Sequence, residues 1–299
     1  GMDPELEICL KRGKLSVRGS SRGDFPGART IEALRNIFKK YAVQDPVRRP
    51  FFTGGFVGYF GYEMAELCDS IRFRSKVVPA MPQLWLGLFR DVIVYDPRKG
   101  VYYLVANSRQ KLEEQQTLRE MKGFFEQPVP VKRGFKLKKF SAEMAKPRFK
   151  AMVKKAKAYI AAGDIYQANL SQRFAFDYEG SAVELYGKLR EINPSPFSCF
   201  LKAGDLEVVS ASPERLIRKK GNVCETRPIA GTCQGRGSRG QLRTWQKKIL
   251  ASDKERAEHL MLVDLERNDL GRVCDYRSVK VEEFMTFERY SHVVHLVSK

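Results

Sequence analysis

The sequence predicts an α+β fold in which the strands pair antiparallel. Strand-like segments recur at 197–203, 206–211, 214–220 and 222–229, with connections short enough for hairpins. Residues 84–95 and 101–106 also read as strands, and the turn between them, DPRKG, is typical of a hairpin. These short connections favour antiparallel sheets over a parallel βαβ arrangement.

Two helices are predicted in the first half of the chain. Residues 30–41 carry apolar side chains at helical spacing, with Thr30 as the N-cap. Residues 111–127 have the pattern of a mostly exposed helix. Neither helix carries a motif that indicates chemistry.

Glycines and aromatic residues are interleaved in residues 51–63, FFTGGFVGYFGYE. Gly55, Gly58 and Gly61 invite comparison with a phosphate-binding loop, but neither a lysine–serine pair nor a helix start follows them. We therefore expect these glycines to permit close packing of backbones within a sheet.

The segment 128–140, PVPVKRGFKLKKF, is rich in proline and lysine and lacks a periodic apolar face. This composition is typical of a boundary between compact parts. We predict an N-terminal part over residues 1–140 and a second part, which carries the chemistry, over residues 141–299.

Two helices are also predicted early in the second part. The first begins at Pro147 and ends at Gly163, because proline suits the first turn and glycine the C-cap. The second covers 181–192 and begins with a capping box of Ser181 and Glu184.

Between these helices, residues 166–178, YQANLSQRFAFDY, alternate as a strand does. One face is mainly apolar. The other carries Gln167, Asn169, Ser171 and Arg173. For an isolated strand, solvent is the simplest explanation of a polar face, so the alternation alone does not indicate a site.

The formal net charge of +19 bears on the kind of partner. Clustered lysine and arginine gain affinity for nucleic acids by releasing counterions. Here the basic residues are spread along the whole chain, and no nucleic-acid motif accompanies them. We favour a solvated surface with anionic small-molecule substrates, or an acidic portion absent from this sequence. The alternative is a basic protein that binds RNA or an acidic partner without catalysis.

The sequence gives no sign of a membrane or export segment. It contains no run of about eighteen apolar residues, and residues 1–14 lack the apolar core of a signal peptide. The six cysteines show neither a CxxC pair nor the spacing of zinc ligands. We expect a cytoplasmic protein with reduced thiols, no zinc site and no membrane contact.

Residues 252–272, SDKERAEHLMLVDLERNDLGR, combine the apolar content of a buried helix with many ionisable groups. Glu255 and Glu258 project from one face near its start. Such a pair suits Mg²⁺, which takes few protein carboxylates and keeps waters or substrate oxygens as further ligands. A capping role for Glu255 and a surface position for Glu258 are the simpler alternatives.

Two further segments contain candidate functional groups. In ETRPIAGT, residues 225–232, the amide of Gly231 and the hydroxyl of Thr232 are potential donors to an anion. His292 and His295 are candidates for proton transfer. Their odd separation puts them on opposite faces of a strand, so at most one faces a given pocket. Each feature alone is equally typical of a purely structural role.

Six segments strengthen each other because they occur together and in order: YQANLSQRF, NPSPF, SASPERL, RPIAGT, DKERAEHLMLVDLERNDLGRV and YSHVVH. The series resembles the chorismate-utilising enzymes. These are the large subunits of anthranilate synthase and aminodeoxychorismate synthase, and the isochorismate and salicylate synthases. The resemblance covers about residues 51–299. It implies antiparallel sheets packed face to face with helices outside.

The resemblance also implies roles for individual residues. Glu258 corresponds to a magnesium ligand, and Glu255 to a residue that acts on the metal through water or supports its direct ligands. In that role Mg²⁺ holds the ring carboxylate of chorismate and offsets charge as the C4 hydroxyl departs. The positions that match catalytic residues are Glu214, Thr232 and His295. The positions that match substrate-binding residues are Gln167, Ala230 and Gly231.

Two positions distinguish members of this family. Isochorismate and salicylate synthases carry lysine where this chain has Gln167, and use it to activate water at ring C2. With glutamine there, the nucleophile should be ammonia, supplied by a separate glutamine amidotransferase subunit. Many aminodeoxychorismate synthases carry a nucleophilic lysine in place of Ala230, whereas PIAGT is usual in anthranilate synthases. Ala230 therefore favours an anthranilate synthase. The segments YQANLSQRF and NPSPFSCF instead resemble aminodeoxychorismate synthase.

We therefore expect an Mg²⁺-dependent subunit that converts chorismate and ammonia to 4-amino-4-deoxychorismate, for 4-aminobenzoate and folate biosynthesis. The alternative is the anthranilate synthase of tryptophan biosynthesis. Family members continue beyond the position of Lys299 with further metal and substrate ligands. The resemblance thus implies that the C-terminal part is missing here and that this form alone is inactive or badly impaired.

Overall fold

The computed structural model describes residues 3–19, 23–26, 30–43, 49–73, 81–108, 110–128, 134–234, 239–289 and 293–299. The chain forms two compact units, Gly1–Val131 with Ala203–Leu206, and Lys132–Lys202 with Glu207–Lys299. The boundary that the sequence predicts at residue 140 falls inside a strand, Phe135–Ala142. The lysine-rich segment is therefore partly strand, with its lysines on an exposed ladder.

A five-stranded sheet with the spatial order β3-β2-β1-β5-β4 forms the first unit. All of its pairings are antiparallel. Its strands are β1 (Leu6–Lys11), β2 (Lys14–Gly19), β3 (Gly23–Pro26), β4 (Gly55–Phe60) and β5 (Leu84–Phe89).

Helix α1 (Thr30–Lys40) packs on this sheet. Strand side chains at every second position and helix side chains at spacings of three and four meet in one core, as the two periodicities require. The core contains Leu6, Ile8, Leu10, Leu15, Val17, Ala33, Leu34, Ile37, Met64, Leu84, Leu86 and Leu88. The helix predicted at 30–41 is confirmed, with Thr30 buried in its first turn.

Gly58 confirms the packing role expected for the glycines of residues 51–63. A Cβ at this position would lie 1.9 Å from the carbonyl oxygen of Trp85 on the neighbouring strand. No side chain other than hydrogen fits at that distance, so β4 and β5 approach closely only because glycine stands here.

The remaining elements of the first unit are a short helix α2 (Ala65–Cys68), a hairpin of β6 (Val92–Asp96) and β7 (Val101–Val105), and α3 (Lys111–Glu126). The predicted hairpin is confirmed, but its first arm is shorter than the predicted 84–95. Residues 84–89 form β5 instead, because they pair with β1 and β4.

From residue 134 onward, the described residues form antiparallel strands interspersed with helices. The strands are β8 (Phe135–Ala142), β9 (Phe174–Gly180), β10 (Phe197–Ala203), β11 (Leu206–Ser212), β12 (Arg218–Lys220), β13 (Val223–Glu225), β14 (Ile229–Gln234), β15 (Thr286–Arg289) and β16 (Val293–Val297). The helices are α4 (Lys146–Ala162), α5 (Ala182–Ile192), α6 (Arg239–Ala251) and α7 (Asp253–Gly271). The predicted α+β class with antiparallel sheets is confirmed.

The strand predicted over 166–178 is only half correct. Strand β9 begins at Phe174, and Gln167 lies exposed on an irregular segment before it. The partner strand explains the difference. Pairing with β8 ends where Ala142 faces Phe174, after which the chain turns into α4 with proline in its first turn. Residues 166–173 therefore have no strand beside them among the described residues.

Two predicted helix ends in this part are confirmed. Gly163 closes α4 in the left-handed conformation, with φ of 80°. Ser181 caps α5, its side chain accepting a hydrogen bond from the amide of Val183 at 3.2 Å. No helix among the described residues is long and apolar enough to cross a membrane.

Candidate active site

The sheet β14-β16-β15 brings several predicted residues together. Strand β16 lies in the middle. His295 on this strand faces the backbone of Thr232 on one side and Glu288 on the other. The RPIAGT and YSHVVH segments, far apart in sequence, thus meet in one row across three strands.

A bulge in β14 shapes one edge of this row. The register shifts between Ala230 and Thr232, and Gly231 between them has φ of 76°, which is favoured only for glycine. A Cβ on Gly231 would approach Oε2 of Glu255 at 3.3 Å. The missing side chain therefore makes room for the carboxylate of α7 beside β14.

The two carboxylates proposed for the metal differ in their surroundings. Glu255 is half-buried, and its amide donates a hydrogen bond to the side chain of Ser252 at 3.4 Å, which confirms the predicted cap of α7. Glu258, near the start of the same helix, is exposed. Among the described residues, no group of three or more His, Cys, Asp or Glu side chains is placed to hold a metal ion. Two hard oxygen donors still fit Mg²⁺, because this ion commonly uses one or two carboxylates with waters and substrate oxygens.

His295 is half-buried on the face of the sheet opposite Val294 and Leu296, which belong to a small core with Ile249 of α6. Burial lowers the pKa of His295, and the charge of Glu288 raises it in part. The protonated imidazole therefore gives up its proton more readily than that of an exposed histidine. His292 lies outside the described residues.

Glu214 is attached to the same sheet. Its Oε1 accepts a hydrogen bond from the amide of Ile229, the first residue of β14, at 2.7 Å. Ala230 follows and is buried, opposite Leu296. A hydrogen bond therefore joins the SASPERL segment directly to the RPIAGT segment.

Arg227 adds an ion-pair cluster that the sequence did not reveal. Its guanidinium contacts the carboxylates of Glu283, at 2.9 Å, and Glu288. Burial alone would lower the pKa of Arg227, but these two carboxylates together raise it. The arginine is thus held as a fixed cation beside the row that contains His295.

Glu266 is a further group that the sequence reading did not single out. Its pKa is raised, chiefly by burial; a hydrogen bond from Thr226 works in the opposite direction, and the charges of Glu214 and Asp269 add to the rise. It helps to line a cavity of about 570 Å³ between α7, the β12–β13 hairpin and residues 273–282. A signal was present, since Glu266 stands three residues after Val263 and four before Leu270, on the apolar stripe of α7.

His259 is buried and structural. Its Nε2 lies 2.6 Å from the hydroxyl of Ser298, and that hydroxyl also accepts a hydrogen bond from the amide of Met285 at 3.0 Å. Burial lowers the pKa of His259. On the exposed side of α7, Asp264 and Arg267 lie three residues apart and form an ion pair at 2.7 Å.

Comparison with known proteins decides the family. A family described as chorismate binding enzyme matches residues 11–299 of this chain. The chain belongs to the chorismate-binding enzyme family.

Relatives of this chain include two synthase components. It is 34% identical to aminodeoxychorismate synthase component 1 of Bacillus subtilis over 305 aligned residues, which cover 100% of this chain and 65% of that protein. It is 36% identical to anthranilate synthase component 1 of Aquifex aeolicus over 282 residues, which cover 90% of this chain and 57% of that protein. The chain thus spans about two thirds or less of the length of these relatives.

A solved structure confirms the fold. Anthranilate synthase component I from Streptococcus pneumoniae superposes with a TM-score of 0.84 at 29% identity, covering 99% of this chain and 66% of that one. The mixed fold of helices and antiparallel sheets is therefore that of the chorismate-binding family.

Proposed function

We propose that the protein containing this chain aminates chorismate to 4-amino-4-deoxychorismate, using ammonia from a separate glutamine amidotransferase subunit. The observation that carries the proposal is the row Thr232–His295–Glu288 beside the Gly231 bulge. Glu214 is hydrogen-bonded to Ile229 at the start of the same strand, and Glu255 lies by Gly231 on the side of Leu296. This arrangement assembles proton-transfer groups and an anion-binding backbone around one short segment. The alignment with an aminodeoxychorismate synthase component, which covers 100% of this chain and 65% of that protein, supports the choice of product.

In this proposal His295 gives a proton to the departing C4 hydroxyl of chorismate, which a group of lowered pKa does readily. Glu214 assists proton transfer at the ring while its bond to Ile229 holds it in place. Gly231 and Thr232 line the site for the ring. Ammonia is the nucleophile because the amide of Gln167 cannot act as the base that activates water.

Glu258 and Glu255 are the residues proposed to hold Mg²⁺. When bound, this ion supplies positive charge to the substrate carboxylate and the developing negative charge. The half-buried Glu255 is positioned by the cap of α7 and by the space at Gly231. Glu258→Ala in the full-length protein should abolish turnover and weaken Mg²⁺ binding measured by calorimetry. Full activity in that variant would contradict the metal assignment.

Anthranilate formation is the second candidate, and Ala230 favours it. This residue is only 7% exposed and faces Leu296, so the site has no lysine there to form a covalent intermediate. The two reactions differ in one measurable product, because only anthranilate formation releases pyruvate. An enzymatic pyruvate assay on the full-length protein with chorismate, Mg²⁺ and ammonium separates them.

A further inference from the structure

Glu288 and His295 are directly opposite each other in the antiparallel pair of β15 and β16. Residues so placed project to the same face of a sheet, with Cβ atoms about 4.5–5.5 Å apart. At that separation the carboxylate of a glutamate can accept a hydrogen bond from the imidazole of a histidine. The charge of Glu288 acts on His295 in the same sense, opposing the effect of burial.

The carboxylate of Glu288 is itself held in place. Arg227 contacts it from the segment that leads into β14, and Glu283 binds the same guanidinium nitrogen at 2.9 Å. An arginine stays charged at all ordinary pH values, so its contact with Glu288 persists and limits the rotamers of that carboxylate. Arg227 therefore contacts Glu288, and Glu288 in turn lies opposite the imidazole of His295.

Other charged groups near this row point elsewhere. Arg289 on β15 is opposite Val294, and so projects to the other face of the sheet. The Glu255 carboxylate lies near the Cβ of Leu296, because both approach the same point above Gly231. Within the described part of the sheet, Glu288 is the charged side chain on the row of His295.

We propose that Glu288 is a positioning residue for His295: its carboxylate, fixed by Arg227, accepts a hydrogen bond from the imidazole and orients the ring for proton transfer. The kinetic part of this inference rests on the proposed function, whereas the pairing itself does not. No residue of the six family segments pointed to Glu288, since it precedes YSHVVH.

The test combines Glu288→Gln with the matched control Glu283→Gln. Each substitution replaces one of the two carboxylates that contact Arg227 with an uncharged amide. Only Glu288→Gln also removes the carboxylate that faces His295. Imidazole titration by nuclear magnetic resonance on the 299-residue chain should show His295 losing its proton at lower pH in Glu288→Gln and at wild-type pH in Glu283→Gln. An unchanged titration in Glu288→Gln would overturn the pairing.

Kinetics of the full-length protein test the consequence. Glu288→Gln should lower kcat by about 10- to 100-fold, part of the usual contribution of an oriented acid or base, with KM little changed. Its alkaline limb of activity should move to lower pH, because the proton donor is lost earlier. Glu288→Asp keeps the charge on a shorter stem and should fall between wild type and Glu288→Gln. Wild-type kcat and pH profile in a folded Glu288→Gln would overturn the inference.

These readouts separate two failures. If the wild-type protein does not consume chorismate but Glu288→Gln still shifts the titration of His295, the proposed function fails and the pairing stands. If chorismate is consumed and neither the titration nor kcat responds to Glu288→Gln, the positioning role fails and the proposed function stands.

Discussion

The carboxylate of Glu214 accepts a hydrogen bond from the backbone amide of Ile229 at 2.7 Å. This bond joins the loop after β11 to the start of β14, one residue before Ala230. Glu214 thus has an acceptor oxygen that fixes the loop, and this can be separated from the proton-transfer role proposed for its carboxyl group.

Glu214→Gln should separate these properties. The amide oxygen still accepts the bond from Ile229, so stability should stay within about 0.5 kcal/mol of wild type. Loss of the ionisable group should reduce kcat in the full-length protein by about 100-fold or more. Glu214→Ala removes the acceptor as well and should also cost about 1 kcal/mol in denaturant unfolding. Wild-type kcat in Glu214→Gln would contradict the catalytic role.

Gly231→Ala should weaken the response to Mg²⁺. The added methyl group meets the carboxylate of Glu255 at 3.3 Å, so that carboxylate has to shift. Gly221→Ala is the matched control, because Gly221 also has positive φ, 59°, but open space around it. Both should lose roughly 1–2 kcal/mol of stability from backbone strain. Only Gly231→Ala should raise the Mg²⁺ concentration needed for half-maximal activity, and equal responses would argue against a metal role for Glu255.

The sequence was sufficient for the elements that repeat a period and for the ends that a cap defines. The apolar face of α1 follows directly from helical spacing, and Leu34 and Ile37 on it lie in the core. Ser181, Gly163 and Ser252 end or begin helices where their chemistry requires. Local patterns of this kind depend on neighbouring residues alone, so they are readable without tertiary contacts.

What the sequence could not give was pairing between distant segments. Strand β9 begins only at Phe174, where its pairing with β8 starts opposite Ala142, and no pattern within 166–178 reveals this. Arg227 and Glu288 are 61 residues apart, so their ion pair exists only through the register of the sheet. The sequence does not single out Glu266, because α7 carries other acidic residues at similar spacing whose side chains are exposed.

Gly58→Ala should destabilise the first unit strongly. A Cβ at Gly58 lies 1.9 Å from a backbone oxygen of Trp85, which cannot move without separating β4 from β5. We expect a loss of about 1–3 kcal/mol or more in denaturant unfolding. Gly123→Ala in α3 makes the same chemical change with no atom within 4 Å, and should be neutral or stabilising by up to about 1 kcal/mol. Similar stabilities for the two variants would show that β4 does not approach β5 so closely.

Glu266→Gln should make stability less dependent on pH. The raised pKa of Glu266 means that the folded state holds its proton more tightly than the unfolded state does. Wild-type stability should therefore fall as pH rises from the unfolded value through the raised folded value, and remain lower above it. The variant removes this penalty, so it should be more stable than wild type at pH 7 and similar at pH 3. The exposed Glu207 provides the control, since Glu207→Gln should show no such difference.

The most direct test of the proposed function is product analysis. Full-length protein is incubated with chorismate, Mg²⁺ and ammonium, and the product is identified by mass spectrometry together with a pyruvate assay. If the proposed function is correct, the product is 4-amino-4-deoxychorismate, with its enolpyruvyl group retained and no pyruvate released. Anthranilate with an equal amount of pyruvate would contradict the proposed product, and isochorismate or salicylate would contradict the argument from Gln167.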